Sequence, residues 1–153
     1  MNPSELEPDE IKAAVRGHYA ERVKNSGGCC SAQSSATAAQ SMGYSASDLE
    51  SIPGEANLGV GCGNPVGLAS LQAGHHVLDL GSGAGIDCFL AAQQVGSQGL
   101  VVGVDMLIEM ITRARTSAKN QGLANVEFRL GEIECLPVET GTMDVILSIV
   151  NIY

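Results

Sequence analysis

The stretch Val77-Leu78-Asp79-Leu80-Gly81-Ser82-Gly83-Ala84-Gly85-Ile86 constrains the fold more than any other part of the chain. A short apolar run ends in an acid and then in glycines at alternate positions. A helical pattern follows at once, so the spacing predicts strand, tight turn and helix. Gly81, Gly83 and Gly85 permit positive φ and let a ligand come close to bare backbone. The first turn of the helix behind them offers N–H groups that have no partner within the helix. Together these properties describe a nucleotide cradle; the bland alternative is a tight βα turn that holds nothing.

The spacing narrows the choice of nucleotide. A dinucleotide fingerprint, G-x-G-x-x-G, has its third glycine where this chain has Ile86, which disfavours an NAD-dependent enzyme. The pattern Asp-x-Gly-x-Gly-x-Gly resembles motif I of the class I S-adenosylmethionine (SAM) methyltransferases, whose ligand has no pyrophosphate. The resemblance implies that Asp79 faces the amino group of the methionine moiety. Gly81, Ser82, Gly83 and Gly85 would then leave room for its carboxylate and for the ribose.

The residues after the turn extend this layout. A helix is expected from Ile86 to Val95, stopped by Gly96, with Cys88 in the core. Leu100 to Asp105 reads as a buried parallel strand ending in an acid. In nucleotide-binding α/β folds the carboxylate at that place accepts bonds from ribose hydroxyls, and Met106 follows it. A helix from Ile108 to about Asn120 ends at Gly122, and Val126 to Leu130 forms a third strand. Gly131, Glu132 and Ile133 stand at that strand's end, where an adenine edge would be met. Met143 to Val150 forms a fourth strand. Strict alternation predicts a doubly wound, parallel, Rossmann-like α/β sheet with the ligand at the C-terminal ends of strands 1 and 2. The terminal apolar run belongs in a strand buried on both faces, so the domain is expected to be incomplete after strand 4 and its exposed edge to associate.

Upstream the pattern changes. Residues 8–24 place Ile11, Val15, Tyr19 and Val23 on one face of an amphipathic helix; Tyr19 is expected to be part of that apolar stripe, the alternative being a helix that lids the ligand. Residues 26–43 are small, polar and aperiodic, a linker or loop that carries the adjacent pair Cys29-Cys30. Ser47 with Glu50 has the capping-box spacing, and Pro53-Gly54 closes that short helix. Gly59 to Pro65 presents Cys62 almost without neighbouring side chains, and Pro65 opens a short helix through Leu71. His75 and His76 read as a solvated turn. The expected division is 1–71, an N-terminal helix, cysteine loop and helical cap, and 72–153, the cofactor-binding α/β part.

Composition excludes some classes of partner. Seventeen acidic against eight basic residues give a net charge of −9 with no Lys/Arg cluster, which argues against nucleic acid and anionic membrane. No apolar run is long enough to span a bilayer, and the acidic start Met1 to Glu5 lacks the layout of a signal peptide. A cytoplasmic setting is expected, in which the five cysteines are thiols.

The match then narrows beyond a fold. Gly59 to Leu71, Val77 to Leu90, Val102 to Met106 and Asn125 to Glu134 with Leu136-Pro137 together resemble the arsenite methyltransferases. The loop Gly-Cys-Gly-Asn-Pro joined to Asp-Leu-Gly-Ser-Gly-x-Gly-x-Asp-Cys is far more specific than motif I alone. The resemblance implies SAM as cofactor, arsenite or its thiol conjugates as substrate and a small thiol as reductant. It also implies trivalent arsenic held by Cys62 together with Cys29 or Cys30. That family carries a further arsenic-binding cysteine just past strand 4, where this chain reads Ser148-Ile149-Val150-Asn151-Ile152-Tyr153; Cys135 falls at no equivalent place. Two other readings stay open: a SAM methyltransferase acting on another small metabolite, and a non-catalytic thiol module that binds arsenite or another soft metal.

Overall fold

Four parallel strands form the centre of the molecule, in the spatial order β3-β2-β1-β4. They are β1 (His76–Leu80), β2 (Leu100–Asp105), β3 (Val126–Leu130) and β4 (Val145–Ser148). The structure, a computed structural model, describes residues 7–25, 37–57 and 63–148. The helices are α1 (Pro8–Asn25), α2 (Ala46–Ser51), α3 (Pro65–Leu68), α4 (Ile86–Val95) and α5 (Ile108–Asn120), with a helical stretch at 37–41 and a 3₁₀ turn at Gly54–Ala56.

The strand register explains the apolar runs. Val77 pairs with Val101 and Val145, and Val101 with Val126, so alternate residues of every strand line one face. On that face α4 and α5 bury Cys88, Phe89, Ala92, Val95, Ile111 and Ala114 against Val77, Val101 and Phe128. The other face, built from Leu78, Val102 and Val104, is covered by Leu136, Val138 and Met143 of the β3–β4 connection. The predicted parallel, Rossmann-like sheet is therefore present. Its strand order reverses on the two sides of β1, which places a crevice at the C-terminal ends of the strands. Among the described residues the second face carries a loop where double winding led one to expect a helix.

Strand and helix boundaries from β1 to β3 match the sequence reading closely, because Gly85, Gly96 and Gly122 all take positive φ and delimit the helices. Elsewhere the structure corrects that reading. The capping box is Ser45 with Asp48, two residues earlier than Ser47 with Glu50. Ser45 Oγ accepts from Asp48 N at 3.1 Å and Asp48 Oδ2 accepts from Ser45 N at 2.8 Å. Starting α2 there puts Tyr44, 3% exposed, just before the cap, where it packs in the cluster that Leu49 joins, the layout of a hydrophobic staple. Helix α3 ends at Leu68, short of Leu71, as Ser70 turns to a φ of 46°. Strand β4 begins at Val145 after Asp144, whose main chain and carboxylate both bond the main chain of His76. The part of the predicted fourth strand beyond Ser148 lies outside the described residues, and Ile146 stands 60% exposed.

The apolar stripe of α1 is the largest correction. Ile11 and Val15 are 44% and 37% exposed, and the helix meets the domain through Lys12 and Arg16 instead. Four-residue spacing puts those two cations on one face, and carboxylates after β3 receive them. The side chains of Tyr19 and Val23 lie outside the described residues.

Candidate active site

The glycine turn after β1 is fastened to β2. Gly81 N and Ser82 N both donate to Val104 O, at 2.8 and 3.0 Å, and Gly83 N donates to Asp105 Oδ2 at 2.9 Å. The other carboxylate oxygen, Asp105 Oδ1, accepts from Leu107 N at 2.9 Å. Asp105 thus couples the turn to the first residues of α5. Partial burial raises its pKa, and the N–H donors from Leu107, Gly83 and Met106 oppose that rise.

Gly83 and Gly85 serve opposite purposes. A Cβ on Gly83 would meet no atom within 4 Å, so this residue turns bare backbone to open space. Gly85, with φ 94°, caps α4, and a Cβ there would stand 2.6 Å from Phe128 Cζ. Phe128 makes an edge-to-face contact with Phe89, centroids 5.6 Å apart, directly beneath. Ser82 is buried, and its hydroxyl has no hydrogen-bond partner among the described residues.

Asp79 is 3% exposed, deeper than a ligand contact would require, and its Oδ2 accepts the Cys88 thiol at 3.3 Å. Burial pushes its pKa up to about 7. Asp87 and, less, Asp105 reinforce that rise, and the thiol opposes it. None of the ion pairs among the described residues involves Asp79. Burial and Asp79 in turn drive the Cys88 thiol well above its usual pKa, so Cys88 is a protonated core residue, as its place in the helix suggested.

A second buried acid escaped the sequence reading. Asp87, 8% exposed in the first turn of α4, accepts the Tyr44 hydroxyl at 2.9 Å on Oδ1 and 3.1 Å on Oδ2. Burial raises its pKa to about 6 against the pull of that bond. An acid near a helix N-terminus has an ordinary explanation in the helix dipole, so only the staple position of Tyr44 hinted at the pair.

A cleft of about 650 Å³ opens beside the turn, lined by Arg16, Gly17, Met106, Leu107, Ile108, Glu109, Leu130, Gly131 and Glu132. It unites three of the residues picked from sequence, Met106, Gly131 and Glu132, and abuts Asp105. Ile133 lies next along the chain, 48% exposed. Ala84 of the turn packs with Met106, Leu107 and Met110, so turn and cleft are one continuous surface. Gly81, Ser82, Gly83 and Gly85 border this surface without lining the cleft itself. Glu132 is occupied: Lys12 Nζ lies 2.7 Å from its Oε2, Arg16 pairs with its Oε1, and Lys12 also lies 3.0 Å from Glu134. The bond from Lys12 lowers the Glu132 pKa and raises that of Lys12.

Cys29, Cys30 and Cys62 lie outside the described residues. The described end of the Cys62 loop is well anchored: Asn64 caps α3 by accepting from Gly67 N at 3.0 Å and donates to Gly43 O at 3.2 Å. Cys135 is exposed and bridges back to Glu132 through its main chain. His75 takes the Gln72 N–H on Nδ1, a local turn contact. Among the described residues there is no metal-binding cluster, and no helix is long and apolar enough to cross a membrane.

Comparison with known proteins agrees with this geometry. The family model for a methyltransferase domain matches residues 71–152, more than half of the chain. An arsenite methyltransferase of Halobacterium salinarum is 45% identical over 95% of this chain and 41% of its own length. A solved arsenic(III) S-adenosylmethionine methyltransferase from Chlamydomonas reinhardtii is 32% identical with a TM-score of 0.52, over 72% of this chain and 38% of that one. A SAM-dependent methyltransferase from Aquifex aeolicus is 26% identical with a TM-score of 0.53, over 74% of this chain and 55% of that one. The chain spans less than half the length of the curated relatives it matches. Its parallel sheet, its glycine turn braced by an acid from β2 and the match over residues 71–152 have one reading: the chain belongs to the methyltransferase-domain family.

Proposed function

We propose that this chain binds S-adenosylmethionine and serves the methylation of trivalent arsenic. The observation that carries the reading is Gly83, whose backbone is tied to Asp105 and faces open space beside an apolar cleft. The residues suit that cofactor. Asp79 is a buried carboxylate without an ion-pair partner among the described residues, and it supplies negative potential for an ammonium from beneath the turn. Gly81, Ser82 and Gly83 leave room for a carboxylate and a ribose, Gly85 lets the turn close on Phe128, and Asp105 keeps lone pairs for ribose hydroxyls. Met106, Gly131, Glu132 and Ile133 frame the apolar slot for a flat base. In this reading residues 72–153 are the cofactor-binding part and residues 1–71 a cap.

Bound there, the cofactor would supply a sulfonium methyl, whose carbon the arsenic lone pair would attack in line as the carbon–sulfur bond breaks and S-adenosylhomocysteine leaves. The chain's own task is positioning: thiolates of Cys62 and of Cys29 or Cys30 strip the soft metalloid of its other ligands and aim its lone pair, so no general base is required. Methyl transfer raises arsenic formally from the trivalent to the pentavalent state, and a small thiol reductant returns it. The cytoplasm, where thiols stay reduced, is the matching compartment. Support for arsenic as substrate comes from the Gly-Cys-Gly-Asn-Pro loop and from the arsenite methyltransferase relatives.

Equilibrium titration of arsenite tests the substrate. Cys62→Ser is expected to weaken arsenite binding by at least about tenfold, since one of two or three thiolate bonds is lost, with SAM affinity unchanged. Undiminished arsenite binding in that variant would make the cysteines incidental and favour another small substrate.

A further inference from the structure

Helix α1 is attached in an unusual way. Among its described side chains, Ile11 and Val15 face outward, while Lys12 pairs with Glu132 and Glu134 of the α/β part and Arg16 with Glu132. These ties lie at the rim of the cleft, and Arg16 and Gly17 form part of its wall. Arg16 Nε is covered yet has no hydrogen-bond partner among the described residues. A helix held by burial would stay closed. One held by partly exposed ion pairs opens easily, because such pairs are individually weak and are screened by salt.

We propose that Lys12 and Arg16 form a clasp that retains the cofactor, pairing with Glu132 and Glu134 to hold α1 over the nucleoside end of the cleft. This inference rests on the SAM-binding reading given above. It assigns Glu132 a second duty: besides framing the base slot, it is the anchor for the cap. Arg16 has the more direct part, since it lines the cleft that the nucleoside would fill. Closure then slows cofactor release while leaving the turn residues free to set the intrinsic fit. Both cations are positioning residues in this scheme, acting through the helix that carries them.

The test compares SAM release rates, by stopped-flow displacement with S-adenosylhomocysteine, for the full chain and two double variants. Lys12→Met with Arg16→Met is expected to speed release by about tenfold, and to abolish most of the salt dependence that the unaltered chain shows between about 0.05 M and about 0.5 M salt. Lys12→Arg with Arg16→Lys keeps the charges and is expected to recover most of the retention. Amide hydrogen exchange without ligand gives an independent readout: α1 should exchange faster in the methionine variant while β1 to β3 do not change. Equal release rates, equal salt slopes and equal α1 exchange in the methionine variant would overturn the clasp and leave SAM binding standing. Failure of the unaltered chain to bind SAM at all would overturn the functional reading and the clasp together.

Discussion

Gly85→Ala should cost the chain about 3 kcal/mol of stability, a large share of what a domain of this size has in reserve. Two costs combine. At φ 94° and ψ 18° the residue sits in the left-handed region, which penalises an L side chain by about 1–2 kcal/mol. The added Cβ would also fall 2.6 Å from Phe128 Cζ, 2.9 Å from Phe128 Cε1 and 3.1 Å from Phe89 Cε2. Two rings already packed edge to face can shift only by disturbing β3 and α4, and overpacking of that kind costs about 1–3 kcal/mol. Gly83→Ala provides the contrast. Its φ of 53° carries a cost of about 1 kcal/mol, and its Cβ meets nothing within 4 Å, so the fold survives. What it should lose is SAM affinity, because the methyl group occupies the open face of the turn. Urea denaturation and ligand titration on the two variants check the pair. A Gly85→Ala chain as stable as the original would show that Phe128 does not hold the turn in place.

Asp79→Asn should stabilise the free chain near pH 8 and weaken SAM binding at the same time. The carboxyl of Asp79 has a pKa of about 7 in the fold against 3.8 as its ordinary value. A carboxyl whose pKa is raised on folding keeps its proton while the unfolded chain has lost its own, so the native state binds more protons. Stability from this group therefore falls as pH rises from about 4 to about 7 and levels off above. Asp87, raised to about 6 by burial, adds to the same trend over a narrower window. Asparagine removes the penalty of a buried charge and still accepts the Cys88 S–H, which gives an expected gain of about 1–2 kcal/mol at pH 8 that vanishes near pH 4. The same change deletes the negative potential offered to the ligand's ammonium, so affinity should fall by at least about tenfold. Thermal melts over that pH range, with titration of SAM, separate the two effects. If the variant were less stable than the original at pH 8, the buried carboxylate would be a structural necessity and its functional assignment would fail.

That opposition explains which parts of the chain were legible. Glycines that delimit helices, together with apolar runs, announced β1, α4, β2, α5 and β3, because local backbone chemistry and burial agree there. The β2 acid was legible for the same reason, since one βα unit sets it beside the turn, although its bonds to Gly83 N and Leu107 N were not foreseeable. The exposure of Ile11 and Val15 in the N-terminal helix was not legible, because periodicity counts apolar residues and says nothing about distant carboxylates. Lys12 and Glu132 are 120 residues apart, and only the fold reveals that they meet. The Tyr44–Asp87 pair is hidden similarly, as each residue has an unremarkable local role. The capping box slipped by two positions because Asp serves at the third helical position as well as Glu does, and burial of Tyr44 selects the register.

The most direct test of the account is calorimetric titration of S-adenosylmethionine into the purified chain, repeated with S-adenosylhomocysteine as competitor. Saturable binding at one site, displaced by the competitor and weakened in Gly83→Ala, is the predicted result. Absence of saturable binding in a chain shown by circular dichroism to be folded would contradict it.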